Sequence, residues 1–157
     1  MTVTPTAPDR RFRQADFSTV TEALDYAAQG ETGINLYGLR GELLLDLPYA
    51  TLREEARALA CRMLASGLKA GDRVGLIADT TPDFVRAFFA CQYARLQPAP
   101  MPLPTPLGGK EAYVAQITGM LQSAQAAGVF CGKGLTQWIA QAATGAGCTP
   151  AIQTIGG

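Results

Sequence analysis

The sequence predicts an α/β fold with a mainly parallel sheet flanked by helices. From Arg73 onward, short strand-like runs alternate with helical segments, the order that β-α-β crossovers produce. The run from Arg73 to Ala78 is apolar on both faces through Val74, Leu76 and Ile77, as suits a strand covered by helices on both sides. With 157 residues, 48% of them hydrophobic, the chain has the size and content of one ordinary domain with a single core.

Each element follows from its local pattern. Residues 1–16 are rich in Thr, Pro and Arg and read as a loose arm that orders only against another surface, leaving 17–157 as the folded part. Val20, Leu24, Ala27 and Ala28 have helical spacing, and Gly30 stops that helix. "INLYG" and "ELLLDL", separated by Leu39-Arg40-Gly41, form a short N-terminal β-hairpin or strand pair. In "YATLREEARALACRMLASG", Leu52, Ala56, Leu59, Ala60, Met63 and Leu64 share one face, which predicts an amphipathic helix closed by Gly67. A turn at Gly71-Asp72 leads into the strand at Arg73. Thr81-Pro82-Asp83 then opens a helix with a hydroxyl cap, a proline in its first turn and an acid near the positive dipole end. Phe84, Val85, Phe88 and Phe89 are expected to form its buried stripe. A buried edge strand near Pro98 to Leu103 follows and runs into a stiff crossover, the proline-rich segment carrying Met101, Leu103 and Leu107. Its prolines suit an edge position. A helix from Lys110 to Ala126 places Tyr113, Ile117, Met120, Leu121 and Ala124 on one face. "GVFCG", "LTQWIAQAA" and "AIQTI" complete the alternation as strand, short helix and strand.

Composition excludes several kinds of chemistry. The chain has no histidine, which removes Ser-His and Cys-His nucleophiles, histidine metal sites and the commonest neutral-pH base. Ser18, Ser66 and Ser123 are the only serines, and none lies in a G-x-S-x-G elbow. Cys61, Cys91, Cys131 and Cys148 lack C-x-x-C spacing and are expected to be buried structural thiols. Lys+Arg 13 balances Asp+Glu 13, so charge gives no case for nucleic acid or an anionic membrane. No apolar run reaches the roughly 20 residues that a bilayer helix needs. The N-terminus lacks the apolar core of a secretory signal, and the chain reads as cytoplasmic.

Three glycine-rich spots could cradle phosphate, and each lacks part of its motif. Gly128 to Lys133 gives G-x-x-x-G-K, one residue short of a phosphate loop and followed by Gly134 rather than Ser or Thr. The G-x-G at Gly145 has Pro150 where a third glycine belongs. Gly108, Gly109 and Lys110 stand at a helix start, where backbone donors could meet an anion. All three are expected to be turn or helix-end glycines. Asp72, Asp79 and Asp83 occupy a turn, a strand end and a helix N-terminus, where acids are favoured structurally. Trp138 is expected to be a core anchor rather than a stacking platform.

The order of these pieces carries a resemblance. Tyr49 and Leu52 before a long helix, then Gly71-Asp72-Arg73-Val74, then Asp83-Phe84, then Pro100, Pro102 and Pro104 resemble the N-terminal part of the adenylate-forming superfamily. That superfamily includes acyl-CoA synthetases and adenylation domains. "GGKEAYVAQITGMLQSAQAAGVF" looks most like fatty acyl-AMP ligases. The resemblance covers about Phe17 to Phe130, and departs from the family at Arg95, where glycine is usual.

The resemblance implies a parent enzyme that uses ATP and Mg²⁺ to activate a fatty acid and passes the acyl group to an acyl carrier protein. Acyl-CoA synthetases and peptide-synthetase adenylation domains are the alternatives within the class. A non-catalytic partner-binding α/β domain is the alternative outside it. In the family, the phosphate loop, adenine-binding strand, metal-coordinating acid and catalytic lysine all come later than this stretch. No residue here is therefore assigned a catalytic, cofactor-binding or metal-binding role, and the chain alone is expected to be inactive. A first subdomain parted from its neighbours is expected to form a homo-oligomer through uncovered apolar surface.

Overall fold

A computed structural model gives the structure. It describes residues 13, 14, 16–106 and 108–147, and the backbone of 151–155. These fall into two compact units, divided between Glu55 and Ala56.

The first unit holds helix α1 (Val20–Ala27), strands β1 (Gly33–Tyr37) and β2 (Leu43–Pro48), and the start of α2 (Tyr49–Ala65). The Thr19 side chain caps α1 by accepting from the Glu22 N–H at 3.1 Å. Glu22 reaches back to accept from the Ser18 N–H at 2.7 Å, so two donors at this helix end are satisfied reciprocally. The strands β1 and β2 pair antiparallel from Gly33 opposite Pro48 to Tyr37 opposite Leu43, forming the expected hairpin. Leu24, Leu47 and Leu52 are buried. The Arg13 guanidinium lies 4.1 Å from the centre of the Phe17 ring and donates to Asp16 at 2.9 Å.

The second unit continues from α2 into β3 (Arg73–Ile77), α3 (Pro82–Tyr93), β4 (Gln97–Met101), α4 (Gly109–Ala124) and β5 (Gly128–Gly132). A 3-10 turn over Lys133–Leu135 leads to α5 (Thr136–Gly145) and β6 (Ala151–Ile155). The four strands lie in the order β4-β3-β5-β6, all parallel. Side chains that alternate along the strands meet two separate cores. Val74, Leu76 and Phe130 join Ala60 and Met63 of α2 and Ala87, Ala90 and Cys91 of α3. Ile77, Met101, Val129 and Cys131 join Tyr113, Ile117 and Leu121 of α4 and Ile139, Ala142 and Ala143 of α5. Fully buried side chains of this size each contribute about 1.5–3 kcal/mol by leaving water. The two helical layers thus hold the central strands between them.

The helices α2 to α5 end alike. Gly67, Arg95, Gln125 and Gly147 take positive φ values of 101°, 58°, 49° and 66° just after them. After α3, the Arg95 N–H donates to the Gln92 carbonyl and the Leu96 N–H to the Cys91 carbonyl, a Schellman closure. After α4, Gln125 and Ala126 donate to Gln122 and Leu121 in the same way.

Several expectations need correction. Leu64 is 44% exposed rather than part of the buried face of α2. Cys61 is exposed, whereas Cys91 and Cys131 are buried thiols as expected. Cys148, Pro150 and Leu107 lie outside the described residues. Phe84, Val85, Phe88 and Phe89 are only partly buried, and α3 presents Ala87, Ala90 and Cys91 to the core instead. Small side chains let this helix approach the sheet, while Phe84 and Phe88 pack against the core from its flank. The second strand of the sheet ends at Met101, two residues earlier than expected, and Leu103 is 39% exposed.

Candidate functional site

In an open parallel sheet, ligands bind outside the carboxyl ends of the strands, where neighbouring connections leave towards opposite faces. That place is definite here. The connection leaving β3 runs to α3 on one face, whereas those leaving β4 and β5 run to α4 and α5 on the other. That edge is bordered by Ala78–Thr81, by the chain after Met101, and by Gly132–Lys133.

Backbone bonds shape this edge. The Ala78 N–H donates to Met101 O at 2.8 Å, and the Thr81 N–H to Asp79 O at 2.8 Å. Thr81 then caps α3, its hydroxyl accepting from the Phe84 N–H at 3.4 Å. Asp83 in the first turn pairs with Arg86 at 3.0 Å. Tyr113 donates to Pro102 O at 3.0 Å and so ties α4 to the segment after β4. Burial pushes the Tyr113 hydroxyl up to about 12, with nearby Cys131 adding to the effect. Thr136 donates to Lys133 O at 3.0 Å across the turn after β5. Asp79, Thr80, Thr105 and Lys133 are exposed along this edge.

The sequence candidates separate under this geometry. Gly128–Gly132 is the strand β5 itself, so its glycines do not wrap a phosphate. Gly108 and Gly109 begin α4 without a side-chain cap, and Lys110 is exposed there. Gly145 ends α5 close to Thr118, whose hydroxyl donates to Ala142 O at 3.2 Å. Asp72 accepts from the Lys69 N–H at 2.7 Å and holds the turn before β3. Trp138 is partly buried and packs on the core, its ring 5.9 Å from that of Tyr113. Cys91 is pushed up to about 12 by burial, and Cys131 is raised for the same reason, so both are poor nucleophiles at neutral pH. Among the described residues, no group of three His, Cys, Asp or Glu is placed to hold a metal ion. The edge thus has the position of a site without a cradle or a nucleophile-base pair.

Sequence reasoning missed two features. The Tyr113 bond was open to inference, because a tyrosine on the buried face of a helix needs a partner for its hydroxyl. The other is a depression of about 270 Å³ in the first unit, lined by Asp25, Ala28, Gln29, Ala50, Arg53 and Glu54. Arg53 donates there to Asp25 at 2.6 Å. These two residues are 28 positions apart, too far for any local pattern to announce the pair.

Helices on both faces of a parallel sheet, with strand order reversing beside β3, define a doubly wound α/β fold. The sequence pattern of the AMP-binding enzymes matches residues 45–154, and the chain belongs to that family. A protein of Caulobacter vibrioides (strain NA1000 / CB15N) that bears an acyl-CoA synthetase name is 61% identical over 145 residues. The match takes in 92% of this chain and 25% of that protein. A structure from work on fatty acyl-adenylate ligases of E. coli and L. pneumophila is 40% identical with a TM-score of 0.85, over 90% of this chain and 25% of that one. An adenylation domain of a keto acid-selecting NRPS module shares the fold at 22% identity and a TM-score of 0.70, over 87% of this chain and 26% of its own. The chain thus spans about a quarter of the length of the relatives it matches.

Proposed function

We propose that this chain is the N-terminal scaffold of a fatty acyl-AMP ligase. The parent enzyme joins a fatty acid to ATP, releases pyrophosphate, and passes the acyl group from acyl-AMP to an acyl carrier protein. The observation that carries this reading is the likeness to the fatty acyl-adenylate ligase structure, at 40% identity and a TM-score of 0.85. A benzoate CoA ligase from Burkholderia xenovorans LB400 stands at 25% and 0.62. A second reading, coenzyme A as the acceptor, is favoured by the acyl-CoA synthetase name of the C. vibrioides relative. The residues described here fit neither ATP nor Mg²⁺, since the glycines form strands and helix ends and no acid cluster is present among them. We assign both to other parts of the parent, whose compartment we take to be the cytoplasm. Self-association belongs to the same reading, because Tyr37, Leu39, Leu43 and Leu44 of the hairpin are all more than half exposed.

Two assays test this. The chain alone, given fatty acid, ATP and Mg²⁺, is expected to show no carboxylate-dependent exchange of pyrophosphate into ATP. Exchange that tracks the protein through repurification refutes the scaffold reading. A parent enzyme containing this segment is expected to accumulate acyl-AMP and to acylate a carrier protein in preference to coenzyme A. Acyl-CoA as its main product decides for the second reading.

A further inference from the structure

We draw no further inference here: the strongest candidate, the open depression between α1 and the first turns of α2 lined by Asp25, Gln29, Arg53 and Glu54, has its Arg53 guanidinium already bonded to Asp25, and nothing in the structure shows what occupies it.

Discussion

Arg95 holds a left-handed conformation, with φ at 58°, in the turn that carries the chain from α3 into β4. Three backbone bonds fix it there. Its N–H donates to Gln92 O at 3.2 Å, its carbonyl accepts from the Gly71 N–H at 2.8 Å, and the next N–H, of Leu96, donates to Cys91 O at 2.8 Å. Leu96 is 4% exposed, so the turn cannot relax without lifting an apolar side chain out of the core. A residue with a Cβ is strained by about 1–2 kcal/mol in this conformation. Glycine escapes that strain but gives about 0.4–1 kcal/mol back through its freer unfolded chain. The Arg95 side chain is exposed, so little else is lost with it. Arg95→Gly is therefore expected to stabilise the protein by about 0.5–1 kcal/mol, raising the melting temperature by about 1–4 °C. Arg95→Ala keeps the strain and is expected to stay within about 0.5 kcal/mol of wild type. Urea titrations of the three proteins, compared at a common slope, measure both differences. A neutral or destabilised Arg95→Gly, or an Arg95→Ala that gains as much, refutes the reasoning.

Three further outcomes follow from burial. Peptide mapping after brief thiol alkylation of the native protein at neutral pH is expected to find Cys61 modified and Cys91 and Cys131 protected, with all three reacting in denaturant. Equal native labelling of Cys91 and Cys61 contradicts the packing. Burial raises Cys91 and Tyr113 to about 12 and raises Cys131, so the folded chain keeps protons that the unfolded chain releases. Their contribution to stability is thus fully present below pH 9.0, the ordinary thiol value, and is lost as pH rises towards 12, which urea melts across that range will show. Gly75→Ala would set a methyl 2.9 Å from the Met101 Cε and 3.1 Å from its Sδ, inside a closed core. An overpacking loss of about 1–3 kcal/mol is expected, and an unchanged melt would show that Met101 can move aside.

The order of elements was legible because each has its own local signal. Thr81-Pro82-Asp83 starts α3 by capping chemistry, and Val74, Leu76 and Ile77 make β3 buried on both faces. Exact faces were harder to read. At about 100° per residue, Cys61 lies about 180° round α2 from Leu52, and Leu64 about 120° round. Both are apolar and close in sequence to the buried stripe, yet the geometry turns them outward. On α3 the aromatic residues suggested the wrong face, because what decides a helix's contact with a sheet is how closely backbones can approach. Ala87, Ala90 and Cys91 allow that approach, and no hydrophobicity count favours them over phenylalanine. The carboxyl edge of the sheet was only half legible. Its chain segments could be named, but which strand leaves towards which face depends on β5 pairing with β3 rather than with β4.

The two ends of the sheet divide their duties. At the amino end the corners are closed by bonds between elements: Gly71 to Arg95, Ala127 to Arg73, and the Arg73 guanidinium to Ala124 O and Gln125 Oε1. At the carboxyl end, Asp79 and Thr80 stand exposed on a loop and Lys133 at the start of a 3-10 turn. Stability should therefore be sensitive to substitution at the first end and nearly indifferent at the second. Asp79→Asn, Thr80→Ala and Lys133→Gln are each expected to shift unfolding by no more than about 0.5 kcal/mol, as surface changes do. Arg73→Ala removes a guanidinium that bridges α4 to the start of β3, and is expected to lower stability by about 0.5–1.5 kcal/mol. Denaturant melts of the four variants decide the matter. If the carboxyl-end variants destabilise as much as Arg73→Ala, those segments are part of what holds the fold together rather than exposed polar groups on its rim.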